Sequence, residues 1–252
     1  MHEIEPGKTV LVASDVHLGA TSMIQQEAFL RWLEQAAAAA PHIVLNGDLF
    51  NFWFEYRWGH TQGHDAVLEL LREIIDGGVR VTMMGGNHDW WGGSVLRDEI
   101  GIDLYDEPVV VELAGLRTLL AHGDGLGRGD LRYRVARVIL RGRPTRLAFG
   151  LLPPRFGDRV AGVISKTDGR WAPPGPSELA RSAALERWAL GALERQPDLD
   201  LVLLGHTHVP VIVDSGSGRW YINTGDWVHH RSYAVLREGE DPRLTEWDGT
   251  IS

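Results

Sequence analysis

Short β-branched apolar runs alternate along this chain with longer stretches whose apolar residues recur every three or four positions. Residues 9–13 (TVLVA) are too short and too branched for a helix and predict a buried strand. Across residues 22–40, Ile24, Ala28, Phe29 and Trp32 fall at helical spacing, and Pro41 ends the pattern. Residues 42–46 predict a second strand. Residues 65–76 predict a helix with Val67, Leu70, Leu71 and Ile74 apolar and Gly77-Gly78 at its end. Residues 79–84 predict a third strand.

The alternation then changes. Residues 109–113 and 117–121 flank Ala114-Gly115 and read as a hairpin. Residues 130–168 carry a helical pattern broken at Gly142, Pro144, Pro153-Pro154 and Gly157. A Pro/Gly connector at 171–176 precedes a long helix over 177–196, with Ser177 expected as its N-cap. Residues 200–204, 209–213, 219–223, 233–237 and 243–247 predict strands, the last four antiparallel. There is no internal repeat. Strands and helices in alternation, followed by a run of strands, predict an α/β (α+β) fold with a mixed sheet layered by helices. One domain over residues 1–252 is expected, with approximately 129–171 as a helical insertion.

Five predicted strands end in clusters of polar residues: Asp15-Val16-His17, Gly47-Asp48, Gly86-Asn87-His88-Asp89, His122-Gly123-Asp124 and Gly205-His206-Thr207-His208. Taken singly, each has an ordinary reading as a turn. Together, in order and each after an apolar run, they point to one site outside the carboxyl ends of the strands. Carboxylate, imidazole and amide oxygen bind divalent metals without thiolate. Two cations ~3.5–4 Å apart lower the pKa of a shared water and clamp a phosphoryl group. Asp48, with two oxygens, can bridge such a pair.

Composition narrows the chemistry further. The 252 residues contain no Cys, which excludes thiolate metal sites, disulfides and a cysteine nucleophile. A net charge of -9 argues against nucleic acid as a partner. Between Arg128 and Arg170, however, eleven basic side chains face three acidic ones, a local charge of about +8 that implies an anionic partner there. Residues 1–8 include Glu3 and Glu5 and are not expected to be a secretory signal. No smooth apolar stretch reaches the ~18 residues needed to span a bilayer. A cytoplasmic protein is expected. Trp53, Trp58, Trp90 and Trp91 either wall the pocket or pack inside the fold. His2, His42, His60, His64, His229 and His230 are not read as ligands.

The ordered series Asp15-x-His17, Gly47-Asp48, Gly86-Asn87-His88-Asp89, His122 and Gly205-His206-x-His208 resembles the calcineurin-like metallophosphoesterases. The resemblance implies a four-layer β-sandwich flanked by helices. It implies two divalent metal ions, manganese first, with iron or zinc as the other readings. Asp15, His17, Asp48 and His208 would hold one ion, and Asp48, Asn87, His122 and His206 the other. The resemblance makes His88 the catalytic residue facing the phosphate. Many members carry an aspartate three residues after the bridging one, and here that position is Asn51. His88 is therefore expected to stabilise charge ahead of donating a proton.

A narrower set of residues resembles the UDP-2,3-diacylglucosamine pyrophosphatases of lipid A synthesis. It comprises Asp15-Val16-His17-Leu18-Gly19, Gly47-Asp48-Leu49-Phe50 with Trp53, His122-Gly123-Asp124, Leu151-Leu152-Pro153-Pro154-Arg155 and Asp226-Trp227. This resemblance implies cleavage of a lipid-linked nucleotide diphosphate to UMP and a lipid monophosphate. Those enzymes typically have Arg where this chain has His88. The insertion would act as a lid, with Arg134, Arg137, Arg141, Arg155, Arg159 and Lys166 on the phosphates. Leu131, Val135, Ile139, Leu147, Phe149, Leu152, Phe156, Val160 and Ile164 would face the acyl chains. The alternative is a hairpin whose apolar face packs on the body and whose arginines are solvated. Its basic, amphipathic character also suits peripheral contact with an anionic membrane, on the inner face of the cell membrane. Two other functions compete: a phosphodiesterase or nucleotide pyrophosphatase on a soluble substrate, and a non-catalytic binding module. The second is expected to lose ligands or the histidine after Asn87, and this chain keeps both.

Overall fold

In a computed structural model that describes residues 9–91, 93–127, 142–153 and 175–251, the branched run Thr9–Ala13 is strand β1 of a six-stranded sheet. Parallel to it runs β2 (His42–Asn46), followed by β5 (Arg80–Met84) and β6 (Asp103–Tyr105), also parallel. On its other side lie β12 (Ser232–Arg237) and β13 (Arg243–Glu246), both antiparallel. A second, five-stranded sheet has the order β10 (Val211–Asp214), β11 (Trp220–Asn223), β9 (Leu201–Leu204), β8 (Leu116–Leu120), β7 (Val109–Leu113). Its three central strands are parallel and its two edges antiparallel. A ribbon of β3 (Glu55–Tyr56) and β4 (Gly59–His60) stands apart.

Strand side chains alternate between faces, and here each face has its own apolar layer. Leu11, Ala13, Ile43, Leu45, Val81, Met83, Tyr233 and Val235 pack under α1 (Met23–Ala39) and α2 (Asp65–Asp76). Val10, Val12, Val44, Met84, Ala234 and Leu236 turn the other way, against Leu113, Leu120, Leu201, Leu203 and Ile222 of the second sheet. The far face of that sheet, with Val202, Leu204 and Tyr221, is covered by Leu185, Ala189, Ala192 and Leu193 of α4 (Pro176–Arg195). Helix, sheet, sheet and helix are thus four layers with three apolar interiors. Full burial of each Leu, Ile, Val or Phe contributes about 1.5–3 kcal/mol.

Several boundaries depart from the sequence reading. The hairpin strand starts at Leu116 because Ala114 (φ 49°) and Gly115 (φ 78°) form a two-residue left-handed turn that pairs Leu113 with Leu116. Helix α4 is capped at Gly175 rather than Ser177, since Pro176 occupies the first turn and Glu178 accepts the Gly175 N–H at 3.1 Å. Strand β10 begins at Val211 because Pro210 has no N–H to offer. The ribbon, β6 and a wide π-helical turn at Val95–Ile100 were not expected. Of the insertion, α3 (Arg143–Gly150) is helical as anticipated. Phe149 seats α3 among Phe52, Phe54, Tyr56 and Trp91, with ring centroids 5.0–6.5 Å apart. Arg134, Arg137, Arg141, Arg155, Arg159 and Lys166 lie outside the described residues, as do Leu131, Val135, Ile139, Phe156, Val160 and Ile164.

Candidate metal centre

The loops that leave β1, β2, β5, β8 and β9 meet at one end of the two sheets. The first two run in register: the Asp15 N–H donates to the Gly47 carbonyl, the Val16 and His17 N–H groups to Asp48, and Leu18 to Leu49, at 2.9–3.0 Å. Eight non-glycine residues among those described have a positive φ, and five of them are Asp15, His17, Asp48, His206 and His208. A left-handed backbone at such residues costs about 1–3 kcal/mol each and clusters at functional sites. Glycines make the close approach. A Cβ on Gly86 would overlap the Asp48 carboxylate, and one on Gly47 the His122 ring. Buried Asp89 ties the loops together, accepting the N–H groups of Gly86 (2.8 Å), Asp48 (3.2 Å) and Phe50 (3.2 Å).

Acceptor-only partners fix the ring nitrogens that point inward. His122 Nδ1 donates to the Asn46 carbonyl at 2.9 Å and His88 Nδ1 to the Asn51 carbonyl at 2.7 Å. His208 Nδ1 meets the Asp226 carboxylate at 3.0 Å. Each ring, when neutral, therefore presents an Nε2 lone pair on its other side. His122 Nε2 lies 3.4 Å from Asp48 Oδ2, and His208 Nε2 lies 3.4 Å from Asp15 Oδ1. Asp48 Oδ2 is also 3.9 Å from His17 Nε2, so this oxygen stands between the two histidines. Donor atoms of Asp15, His17 and His208 lie within 4.8 Å of one another, as do those of Asp15, Asp48 and His122, and those of His17, Asp48 and His88. His206 joins through its N–H to Asp15 Oδ2 (2.9 Å) and its ring edge on His122 (5.2 Å).

Three buried atoms in this cluster accept no hydrogen bond: Asp15 Oδ1, Asn87 Oδ1 and His122 Nε2. An unmet buried acceptor costs about 1–3 kcal/mol. Unbonded Asp15 Oδ1 and His122 Nε2, in a group whose donor atoms lie within 4.8 Å of one another, fit a cation, and the all-oxygen and nitrogen donor set fits manganese, iron or zinc. Without a cation, protons take up part of the role. Burial disfavours a charged His122, but the Asp48 and Asp15 carboxylates outweigh it and raise its pKa well above 6.5. Asp48 resists burial through His122 and His88 and stays well below the usual carboxylate range. Burial, with Asp48 beside it, lifts Asp89 to about 7, and burial with His122 lowers His206 to about 3. Cation binding must then displace the proton of His122.

Of the eight residues expected at the site, Asp15, His17, Asp48, His88, His122, His206 and His208 thus sit together, and Asn87 precedes His88 with its Oδ1 buried and without a hydrogen-bond partner. His88 approaches as closely as the expected ligands and also donates its N–H to Asp48 Oδ1 at 2.9 Å. The tryptophans divide: Trp53 is fully buried on Phe50, Trp58 is exposed, Trp90 donates to the Asp106 carbonyl, and Trp91 packs on Phe54 and Phe149. His230 binds Asp226 at 3.1 Å, and His64 packs between Phe50 and Gly19. Sequence reasoning missed the carbonyls of Asn46 and Asn51 and gave Asp226 no role. The Asp-Trp pair at 226–227 was its only signal for the last.

The calcineurin-like phosphoesterase family profile matches residues 8–210. UDP-2,3-diacylglucosamine hydrolase of Porphyromonas gingivalis is 30% identical over 262 aligned residues, covering 96% of this chain and 94% of that protein. The protein of the same name from Ralstonia nicotianae is 31% identical over 240 residues, covering 91% and 90%. Among solved structures, Vacuolar Protein Sorting 29 from Cryptosporidium parvum aligns with a TM-score of 0.49 at 17% identity, covering 98% and 95%.

Proposed function

This chain belongs to the calcineurin-like phosphoesterase family, and from that premise we propose that it hydrolyses the pyrophosphate of UDP-2,3-diacylglucosamine to UMP and 2,3-diacylglucosamine 1-phosphate. The observation that carries the hydrolytic reading is the convergence of donor atoms from Asp15, Asp48 and His122 within 4.8 Å of one another, with Asp15 Oδ1 and His122 Nε2 buried and without a hydrogen-bond partner. The choice of substrate is supported by relatives of that name aligned over nine-tenths of the chain.

In this reading Asp15, His17, Asp48 and His208 hold one divalent cation, and Asp48, Asn87, His122 and His206 the other, manganese being the first choice. The bound pair supplies Lewis acidity, activating water and neutralising phosphoryl charge. Two carboxylates and a neutral amide among seven ligands leave such a pair with net positive charge, suited to an anionic diphosphate. Water would add to one phosphorus in line with the bridging oxygen and give up a proton to solvent, while that P–O bond breaks and the departing phosphate leaves with the electron pair. His88 stabilises the growing charge from its Nε2 side. Its Nδ1–H is held by the Asn51 carbonyl, a neutral acceptor that fixes orientation and tautomer. That arrangement suits charge stabilisation ahead of acid catalysis.

The insertion supplies the lid, with Arg134, Arg137, Arg141, Arg155, Arg159 and Lys166 as the proposed phosphate contacts. Leu147 and Leu151, four residues apart and 71% and 57% exposed, support an apolar surface there for acyl chains. No helix among the described residues is long and apolar enough to cross a membrane. Peripheral contact with the inner face of the cell membrane follows from the same basic, apolar segment. The test is hydrolysis of UDP-2,3-diacylglucosamine with added Mn2+, side by side with UDP-sugars lacking acyl chains. The acylated substrate is expected to turn over at least tenfold better in kcat/KM. Equal turnover of both would sink the lipid assignment and leave a soluble-nucleotide pyrophosphatase.

A further inference from the structure

Asp226 is fully buried, and its two carboxylate oxygens serve different partners. Oδ1 accepts three donors: the N–H groups of His229 (2.9 Å) and His230 (3.1 Å) and the His230 Nδ1 (3.1 Å). Oδ2 meets His208 Nδ1 at 3.0 Å. The position of Asp226 is itself fixed. Its neighbour Trp227 is 1% exposed, with its ring on Phe29 (5.1 Å) and Trp32 (5.2 Å) of α1, and donates its backbone N–H to the Asp15 carbonyl at 3.2 Å. The Asp226 carbonyl accepts the Ser232 N–H at 3.1 Å. A rigid carboxylate therefore reaches His208 from behind, on the side away from Asp15 and His17.

We propose that Asp226 is the positioning residue of His208: it fixes the ring with the proton on Nδ1 and so leaves the Nε2 lone pair to ligate a cation. The inference rests on the two-cation reading above and extends it to a residue outside the ligand set. A carboxylate only accepts, so the tautomer follows from the bond. Outer-shell partners of this kind typically change metal affinity 10–100-fold.

The arrangement makes an unusual demand on the isosteric variant. In Asp226→Asn, the amide oxygen is claimed by the three donors on the His229–His230 side. The NH2 group then faces His208 and can only donate. His208 Nδ1 must accept, and its proton moves to Nε2, where it blocks the cation. Asp226→Ala removes the bond without imposing that switch. Asn is therefore expected to weaken cation binding more than Ala, although Ala removes more packing. A merely structural role predicts the reverse order.

The experiment titrates the whole metal-depleted protein with Mn2+ alone by calorimetry, for wild type, Asp226→Asn and Asp226→Ala. Two binding events are expected in wild type, one of them weakened about 10–100-fold by Asn and less by Ala, the other changed less than threefold. In parallel, long-range 15N histidine spectra of the metal-free protein at alkaline pH report where the His208 proton sits. Nε2 should be unprotonated in wild type and protonated in Asp226→Asn. Unchanged affinity in Asp226→Asn, a larger loss in Ala than in Asn, or an unaltered tautomer each overturns the proposal. If wild type binds no Mn2+, the two-cation reading fails instead, and the metal-free spectra still decide whether Asp226 sets the tautomer.

Discussion

His17 and His208 bring their Nε2 atoms within 3.3 Å of each other across 191 residues of sequence, their rings stacked at 19°. Two imidazole nitrogens at that distance need a proton or a cation between or beside them, because two lone pairs repel. Chelation is therefore expected to abolish hydrolysis, and added Mn2+ to restore it. His17→Ala or His208→Ala should reduce the bound cations from two to one, measured by elemental analysis after dialysis. Retention of both ions in either variant would refute the assignment of these rings.

His88 should affect chemistry rather than cation content. Removing one donor to developing charge costs about 10²–10³-fold in kcat. His88→Ala is expected to show that loss with two cations still bound and KM changed less than tenfold. Loss of a cation from His88→Ala would instead make His88 a ligand, as its closeness to His17 and Asp48 permits.

Gly86 marks a close approach between loops. A Cβ there meets the Asp48 backbone nitrogen at 2.5 Å and overlaps its carboxylate. Gly86→Ala is expected to lower stability by about 1–3 kcal/mol and to weaken cation binding together with it. Gly216→Ala is the control: its φ is +89° but nothing lies within 4 Å. That variant should destabilise through its backbone alone and leave cation affinity untouched, as calorimetry and urea unfolding would show.

His64 sets a pH dependence away from the cations. Its ring is 6% exposed, against Phe50 at 4.7 Å. Burial, aided by nearby His60, lowers its pKa from 6.5 to about 4. Between those values the unfolded chain takes a proton that the folded protein refuses, so stability falls as pH drops from 6.5 towards 4. A depression of that size is worth up to about 3 kcal/mol. Urea unfolding of the metal-free protein at pH 7 and pH 4.5 should show an acid loss about 1–3 kcal/mol smaller in His64→Gln. Identical losses would show that His64 contributes nothing to the acid sensitivity.

The side chains of the site were legible because each follows a strand whose branched, apolar residues announce it. Asp15, Asp48, Asn87, His122, His206 and His208 all lie within four residues of a strand end. The residues by themselves read as one mixed sheet layered by helices, and the four layers came from the family resemblance; a run such as TVLVA, apolar throughout, marks a strand buried on both faces but not the two interiors that Leu11 and Val12 enter. What stayed hidden has other causes. Asn46 and Asn51 act through main-chain oxygens, which every residue carries, so no sequence pattern marks them. Asp226 lies 18 residues beyond His208, and only the sheet brings them together. Strands of two residues, such as β3 and β4, offer too short a pattern to read. Turn chemistry moved the boundaries at Leu116 and Gly175, where left-handed φ or a proline overrode apolar spacing.

The three fixed rings differ in what holds them, and that difference bears on inheritance. His122 and His88 hang on peptide oxygens, which survive any replacement of Asn46 or Asn51 that keeps the chain path. His208 hangs on one carboxyl group that a single codon change can erase. Drift in this lineage should thus tolerate new side chains at the half-buried position 51 far more readily than at 226.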